Sequence, residues 1–298
     1  MTRFEFQIDE RFHRRRLDEF LFNEFRSMSK AYLRRVVKEE NCELNGIIAN
    51  SGTILKQDDF VEIEVNIDYE KGMSPEEMPL EIVYEDAEFL VVDKAVGMLV
   101  HPTNYERDGT LLNALTHYLN RNKSIKEEFV RPHLIHRLDR ETSGLILVAT
   151  NLKSSKKLSE HFKRRLFKKG YVALVDGIVE NDQGIVDEPI GRFEELREWN
   201  VMSGGKPSES RFVVIERFRS TTLVKLEPVT GRTNQLRIHC AFLGHPIVGD
   251  KRYGGSEFER MCLHASEIRF WHPNGGEQLE FKSENLTPFR IEARERLS

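Results

Sequence analysis

The sequence predicts an α+β protein in two unequal parts. Three observations lead there. Apolar residues recur at helical spacing near the N-terminus and give way to a strict apolar–polar alternation. A stretch with Gly, Ser and two Pro over residues 69–79 has no periodicity and reads as a linker. From Leu80 onward, short apolar runs such as Phe89-Leu-Val-Val92 are punctuated by Gly97 and Pro102, the mark of buried strands. A length of 298 residues with 39% hydrophobic content allows a substantial core, in one large domain or two. The expected boundaries are 1–68, 69–79 and 80–298.

In the first part, Leu17, Phe20, Leu21 and Phe25 lie on one helical face. Ser29 is placed to cap a second helix with Leu33, Val36 and Val37 on its apolar side. Lys30, Arg34 and Lys38, at i, i+4 and i+8, then form one exposed basic stripe. Asn45-Gly46 is a hairpin-turn signal. Val61, Ile63 and Val65 alternate with Glu62 and Glu64 as a half-buried strand.

Composition limits the function classes. No apolar run approaches the length that spans a bilayer, and the N-terminus lacks the apolar stretch of a secretory signal. Cys42, Cys240 and Cys262 are far apart and without CxxC spacing, so reduced structural roles are expected in a cytoplasmic or similarly reducing compartment. The formal net charge of −4 argues against nucleic acid as a partner, but the distribution matters more than the sum. Residues 11–38 carry nine Lys/Arg against three Asp/Glu, and residues 151–170 carry eight against one. Each run alone reads as a solvated helix face. Such stripes also suit a phosphate backbone, which Lys and Arg neutralise irrespective of sequence. In the second run, Leu158, Phe162 and Leu166 are the expected buried stripe, leaving Lys156 and Lys163 outward.

The densest chemistry is His136-Arg-Leu-Asp-Arg-Glu-Thr-Ser-Gly144, which runs directly into Leu145-Ile-Leu-Val-Ala149. A polar loop entering a buried strand is where rigid scaffolds commonly carry catalytic groups. Arg137 and Arg140 flank Asp139 and favour its ionised form. An anionic carboxylate can be a base, a ligand or a nucleophile. Thr142 and Ser143 are expected to bond to the loop backbone. On these residues alone, a loop closed by local Asp–Arg pairs is the simpler account.

The second part resembles the RluA-type pseudouridine synthases, in which the Asp of this loop is the catalytic residue. Two later segments match that family in order: Lys169-Gly-Tyr-Val-Ala-Leu-Val-Asp-Gly177, and Thr230-Gly-Arg-Thr-Asn-Gln-Leu-Arg-Ile-His239 continuing through Gly244-His-Pro-Ile-Val-Gly-Asp250. The match spans about residues 80–290. The first part resembles the alpha-L RNA-binding module first known from a ribosomal small-subunit protein. It does so through Arg16-Leu17-Asp18, Ser29-Lys30, Asn45-Gly46 and Gln57-Asp58-Asp59. The resemblance implies a mixed, mostly antiparallel central sheet with flanking helices and a catalytic cleft. It implies isomerisation of uridine to pseudouridine in structured RNA without cofactor or metal. Large-subunit ribosomal RNA is the expected target, with transfer RNA as the alternative, and a monomer is the expected state. Carried over, Asp139 is catalytic, Tyr171 stacks on the flipped base, and Arg237 pairs with Asp139. Arg137 aids base flipping and Arg232 contacts phosphate; the basic stripes themselves add Lys30, Arg34, Lys38, Lys156 and Lys163 as expected RNA contacts.

Two departures stand out: Asn234 replaces the usual His, and Asp93-Lys-Ala-Val-Gly97 lacks the usual Pro after Lys. Neither removes an assigned residue. Outside the motif context Tyr171 reads as a half-buried strand residue and Arg237 as a structural ion pair. His133, His136, Asp139, His239 and His245 invite a metal site, which the Arg137 and Arg140 charges oppose. A glycoside hydrolase would need a second carboxylate about 5–10 Å away, for which Glu141 is the nearest candidate. A catalytically silent RNA-binding protein, such as a ribosome-assembly factor, would share the basic stripes.

Overall fold

The computed structural model describes residues 2–25, 28, 30–65, 74–103, 105–122, 129–193 and 198–283. The Ser29 cap and residues 69–73 of the expected linker lie outside the described residues. Contacts divide the chain into two compact units: Met1–Met78 with His101–Arg131, and Pro79–Val100 with Pro132–Ser298.

The first unit contains β1 (Thr2–Gln7), α1 (Leu17–Glu24), α2 (Lys30–Lys38), β2 (Cys42–Leu44), β3 (Ile47–Ile48) and β4 (Phe60–Val65). Their sheet runs β1-β4-β2-β3. The helical faces pack as their spacing demands: Leu17, Phe20, Leu21, Phe25, Leu33, Val36 and Val37 share one core with Val61, Ile63 and Val65. Asn45 and Gly46 both take positive φ, 52° and 75°, as a tight primed hairpin turn requires. The Asn45 side chain ties that turn to β4, accepting from the Phe60 amide at 2.8 Å and donating to Asp59 at 2.9 Å. Strand β1 was not foreseen. Its Phe4 and Phe6 pack edge-on against Phe25 and Phe20 at 5.1 and 5.5 Å. α3 (Leu111–Asn120) also groups with this unit; its Asn113 donates to the Ser74 carbonyl at 3.0 Å.

The second unit adds β5 (Glu81–Glu85), β6 (Phe89–Lys94), β7 (His133–Leu134), β8 (Ser143–Ala149), α4 (Leu152–Lys163), β9 (Lys168–Asp176), β10 (Gln183–Asp187), β11 (Ile190–Phe193), β12 (Glu198–Val201), β13 (Glu209–Arg217), β14 (Thr221–Pro228), α5 (Gln235–Phe242), β15 (Leu263–Trp271) and β16 (Gln278–Lys282). Among the described residues its main sheet runs β10-β13-β14-β9-β15-β8-β6-β5, with β16 on β15 and β7 on β8. Neighbours are antiparallel except β8 and β15, which run parallel for two residue pairs, His264↔Ser143 and Ala265↔Gly144. This is the mixed, mostly antiparallel sheet expected. Alternate residues of β6, β8 and β15 (Phe89, Val91, Leu145, Leu147, Ile268, Phe270) form a core with Leu158 of α4. Leu166 does not extend that stripe: α4 ends at Lys163, Arg165 turns the chain at φ 58°, and Leu166 is 37% exposed. Phe167 packs on the core in its place. No helix among the described residues is long and apolar enough to cross a membrane.

At the β8–β15 contact, Gly144 sits at φ +112°, and a Cβ there would lie 2.3 Å from the Ala265 carbonyl oxygen. Both the conformation and the space demand glycine. Gly144→Ala is therefore expected to destabilise the protein by at least about 3 kcal/mol, read as a fall in the urea midpoint at unchanged slope.

Candidate active site

The strand-to-strand geometry brings three distant segments to one cavity of about 330 Å³. The loop entering β8 supplies Asp139, the buried middle of β9 supplies Tyr171, and α5 supplies Arg237. Arg137 and Arg232 also line it, as do His136, Phe162 and Lys169. A cavity of this size is at the lower end of the range for small-molecule sites.

Arg237 organises the centre. Its Nη1 lies 3.6 Å from Asp139 Oδ2, while Nε and Nη2 donate to Asp250 at 2.7 and 2.8 Å. The Asp250 side chain is fully buried, that of Arg237 9% exposed, and that of Asp139 30% exposed. One guanidinium thus bridges a sealed carboxylate and an open one. Burial opposes the Arg237 charge, but the Asp250 hydrogen bonds and charge, joined by Asp139, outweigh it and raise its pKa. Asp250 is held in turn by the backbone N–H groups of Arg252 and Tyr253 at 3.1 and 3.3 Å.

The segment leading into α5 is built around Gln235. Its Oε1 accepts from Thr230 at 2.7 Å and from the Arg232 amide at 3.0 Å, while Nε2 donates to the Glu209 carbonyl at 2.8 Å. Arg232 Nε donates to the Pro207 carbonyl at 3.2 Å. Asn234 caps α5 from the left-handed region at φ 53°, a conformation Asn tolerates better than most side chains. Its amide donates to the Tyr253 hydroxyl at 3.0 Å and its oxygen accepts from Arg237 at 3.4 Å.

Tyr171 is buried, and burial first and the Asp139 charge second push its phenol above the ordinary range, so it stays a neutral O–H donor. Also in the lining, His136 stacks parallel on Phe162 at 6.1 Å, with Lys169 Nζ 5.1 Å from the same ring. Burial, then the Lys169 charge, pushes His136 down to about 3; burial lowers Lys169 to about 8. His136 is neutral and accepts from the Leu147 amide at 3.1 Å.

The Asp139 loop is gripped from behind. The Gly97 amide and Lys94 Nζ both donate to the Arg140 carbonyl, at 2.9 and 3.2 Å, and the Thr142 amide closes on the Asp139 carbonyl at 3.2 Å. Lys94 is buried, spends its other protons on the Ala95 and Met98 carbonyls, and is lowered to about 8 chiefly by burial. The Ser143 hydroxyl bonds to His264 and Arg260 at 2.9 and 2.6 Å, across the β8–β15 contact, where the sequence pointed to the loop backbone.

Lys156 and Lys163 are exposed on α4, the helix that supplies Phe162 to the wall. Lys30, Arg34 and Lys38 are exposed on the first unit. There Arg34 shares the Asp18 carboxylate with Arg16, each at 2.9 Å, and Lys30 lies 4.4 Å from the Phe22 ring. The histidines of the metal alternative are dispersed. His239 bonds Ser210 and the Glu188 carbonyl, and His245 the Asp176 carbonyl. Among the described residues no cluster of three or more His, Cys, Asp or Glu is set to hold a metal. Sequence reasoning missed Asp250, Tyr253 and Lys94 as supports of the site. Asp250 closes a segment already matched by motif, and its buried partner was the missing signal.

The sequence pattern of the family described as RNA pseudouridylate synthase matches residues 88–242. The RNA pseudouridine synthase YlyB of Bacillus subtilis is 35% identical over 272 residues, covering 90% of this chain and 89% of that protein. Ribosomal large subunit pseudouridine synthase D of Haemophilus ducreyi is 35% identical over 284 residues, covering 89% and 86%. Among solved structures, human RNA Pseudouridylate Synthase Domain Containing 1 superposes with a TM-score of 0.59 at 32% identity, covering 70% of this chain and 84% of that one.

Removing one partner of a buried pair strands the other charge. Asp250→Ala is expected to cost about 3–5 kcal/mol in urea unfolding. A cost near that of a surface substitution would show that Arg237 does not depend on Asp250.

Proposed function

The chain belongs to the RNA pseudouridylate synthase family, and on that premise we propose that it converts uridines of large-subunit ribosomal RNA to pseudouridine, with Asp139 as the acting carboxylate. The observation that carries the proposal is the juxtaposition of a partly open Asp139, an anchored Arg237 at 3.6 Å and a buried Tyr171 in one cavity. Relatives named for the ribosomal large subunit support the choice of RNA.

A uridine stacked in folded RNA cannot reach this cavity, so it must be flipped out at a cost of a few kcal/mol. Stacking on Tyr171 returns about 1–3 kcal/mol. Arg137, exposed at the rim, takes part in flipping, and Arg232 meets phosphate. The reaction breaks the bond between the sugar and N1, turns the base, and joins C5 to the sugar; the C5 proton leaves to solvent and N1 takes one up. Every atom of the nucleotide apart from that exchanging proton is kept, so no co-reactant is needed. Arg237 places its positive charge 3.6 Å from Asp139 and orients it, and the neutral Tyr171 hydroxyl is a donor in the same cavity. The first unit acts as an RNA-binding module through Lys30, Arg34 and Lys38, and Lys156 and Lys163 on α4 extend the contact with phosphates.

The chemistry is tested with RNA tritiated at uridine C5. Label release is expected from the wild type, falling by at least about 10³-fold in Asp139→Asn with RNA binding retained. No release by the wild type from RNA of a synthase-deficient host would overturn the activity. Pseudouridine mapping in a deletion strain is expected to lose sites in large-subunit ribosomal RNA; loss confined to transfer RNA would overturn the substrate. Binding is also expected to weaken linearly in log–log salt titration, by about 0.7–0.9 per phosphate contacted. A flat response would remove the basic stripes from the interface.

A further inference from the structure

Beneath the Asp139 loop lies a buried chain of polar groups that the proposed reaction does not use. Arg260 Nη2 donates to Ser143 Oγ at 2.6 Å. Ser143 Oγ lies 2.9 Å from His264 Nδ1, and His264 Nε2 lies 2.8 Å from Ser283 Oγ. Ser283 Oγ donates to Asp93 Oδ2 in a short contact. Asp93 is the next-to-last residue of β6, Ser143 opens β8, His264 sits at the start of β15 and Ser283 follows β16. Ser143, His264, Ser283 and Asp93 are all buried.

The two ends dictate the direction of every link. A guanidinium only donates, so Ser143 accepts from Arg260 and has its own proton to give. A carboxylate only accepts, so Ser283 gives its proton to Asp93 and must accept from His264 Nε2. His264 is then protonated on Nε2 and accepts on Nδ1. Burial and the Arg260 charge keep the ring neutral, its pKa lowered to about 4.

We propose that Ser143 and His264 are positioning residues for Asp139, their one-way hydrogen-bond chain from Arg260 to Asp93 fixing the β8 end of the loop that carries the carboxylate. Ser143 follows the turn that the Thr142 amide closes on the Asp139 carbonyl. Arg237 is anchored separately by Asp250. The chain therefore sets where Asp139 stands relative to a guanidinium fixed from elsewhere. The inference rests on the synthase activity proposed above.

Steady-state tritium release with Ser143→Ala, Ser143→Thr and His264→Gln tests it, together with ¹⁵N NMR of the wild-type histidines. Ser143→Ala is expected to lower kcat by about 10-fold or more at unchanged KM for RNA, since small misplacements of a reacting group are costly. Ser143→Thr, which keeps the hydroxyl, is expected to restore most of it. The Ser143→Ala, His264→Gln double variant is expected to be no slower than the slower single, because both break one chain. His264 is expected to be neutral and protonated on Nε2 at pH 7. Wild-type kcat in Ser143→Ala, or His264 protonated on Nδ1 at that pH, would overturn the inference. If Ser143→Ala does not fold, Ser283→Ala breaks the chain at its far link and is read in the same way. An inactive wild type would instead defeat the synthase activity itself.

Discussion

The second unit depends on a contact two residues long. β8 and β15 meet in parallel only at Ser143–Gly144 and His264–Ala265, then part. Beyond that point β8 pairs with β7, and β15 with β16. Backbones can come this close only where no Cβ intervenes, which is why Gly144 is glycine at a φ few other residues hold. The same contact places the start of β8, and with it the Asp139 loop, beside β9 through β15. Tyr171, on β9, pairs with Ala265 and so lies one strand away. The cavity follows from the crossing of strands that are unrelated in sequence distance.

Arg237 turns that geometry into an electrostatic site. A guanidinium this deeply buried is unfavourable without compensation. Asp250 supplies it with two hydrogen bonds below 3 Å, in the bidentate form arginine alone among the basic side chains can make. Asp250 is itself satisfied by two backbone amides. The anchoring is complete before Asp139 is considered, so the third nitrogen faces the cavity as a fixed positive pole. Electrostatic preorganisation of this kind needs little rearrangement when a substrate arrives.

Local chemistry was legible in the sequence and long-range support was not. α1, α2 and the Asn45-Gly46 hairpin are written in spacing and turn residues, and Leu17, Phe20, Leu21 and Phe25 are buried together. The expectation of a mixed, mostly antiparallel sheet came from motif resemblance, since short apolar runs do not state their pairing. β1 leaves little trace in the sequence, because Phe4 and Phe6 alternate within a charged N-terminus and their partner strand β4 lies far along the chain. The helical spacing of Leu158 and Phe162 does not carry on to Leu166, because the chain leaves the helix at the Arg165 turn. Asp139, Tyr171 and Arg237 share a cavity, as the motifs implied. What those motifs could not convey is that Asp250 and Lys94 hold the arrangement. A buried salt bridge between residues 237 and 250, or a lysine spent on three carbonyls, leaves no periodic trace.

The asymmetry of the two carboxylates carries the last step. Asp139 and Asp250 compete for one guanidinium, and the site resolves the competition unequally. Asp250 takes both strong bonds and is sealed; Asp139 receives a longer contact, 3.6 Å, and keeps a third of its side chain open. A bidentate grip on Asp139 would have occupied its oxygens and made any substrate contact compete with an ion pair. An unpaired Asp139 would have lost its orientation in a cavity walled by Phe162 and Tyr171. In the proposed reaction, this intermediate arrangement leaves an Asp139 oxygen for a sugar or base atom while Arg237 stays bonded to Asp250. In the proposed reaction, then, the sealed Asp250 sets the reactivity of its open counterpart by taking the stronger share of the arginine.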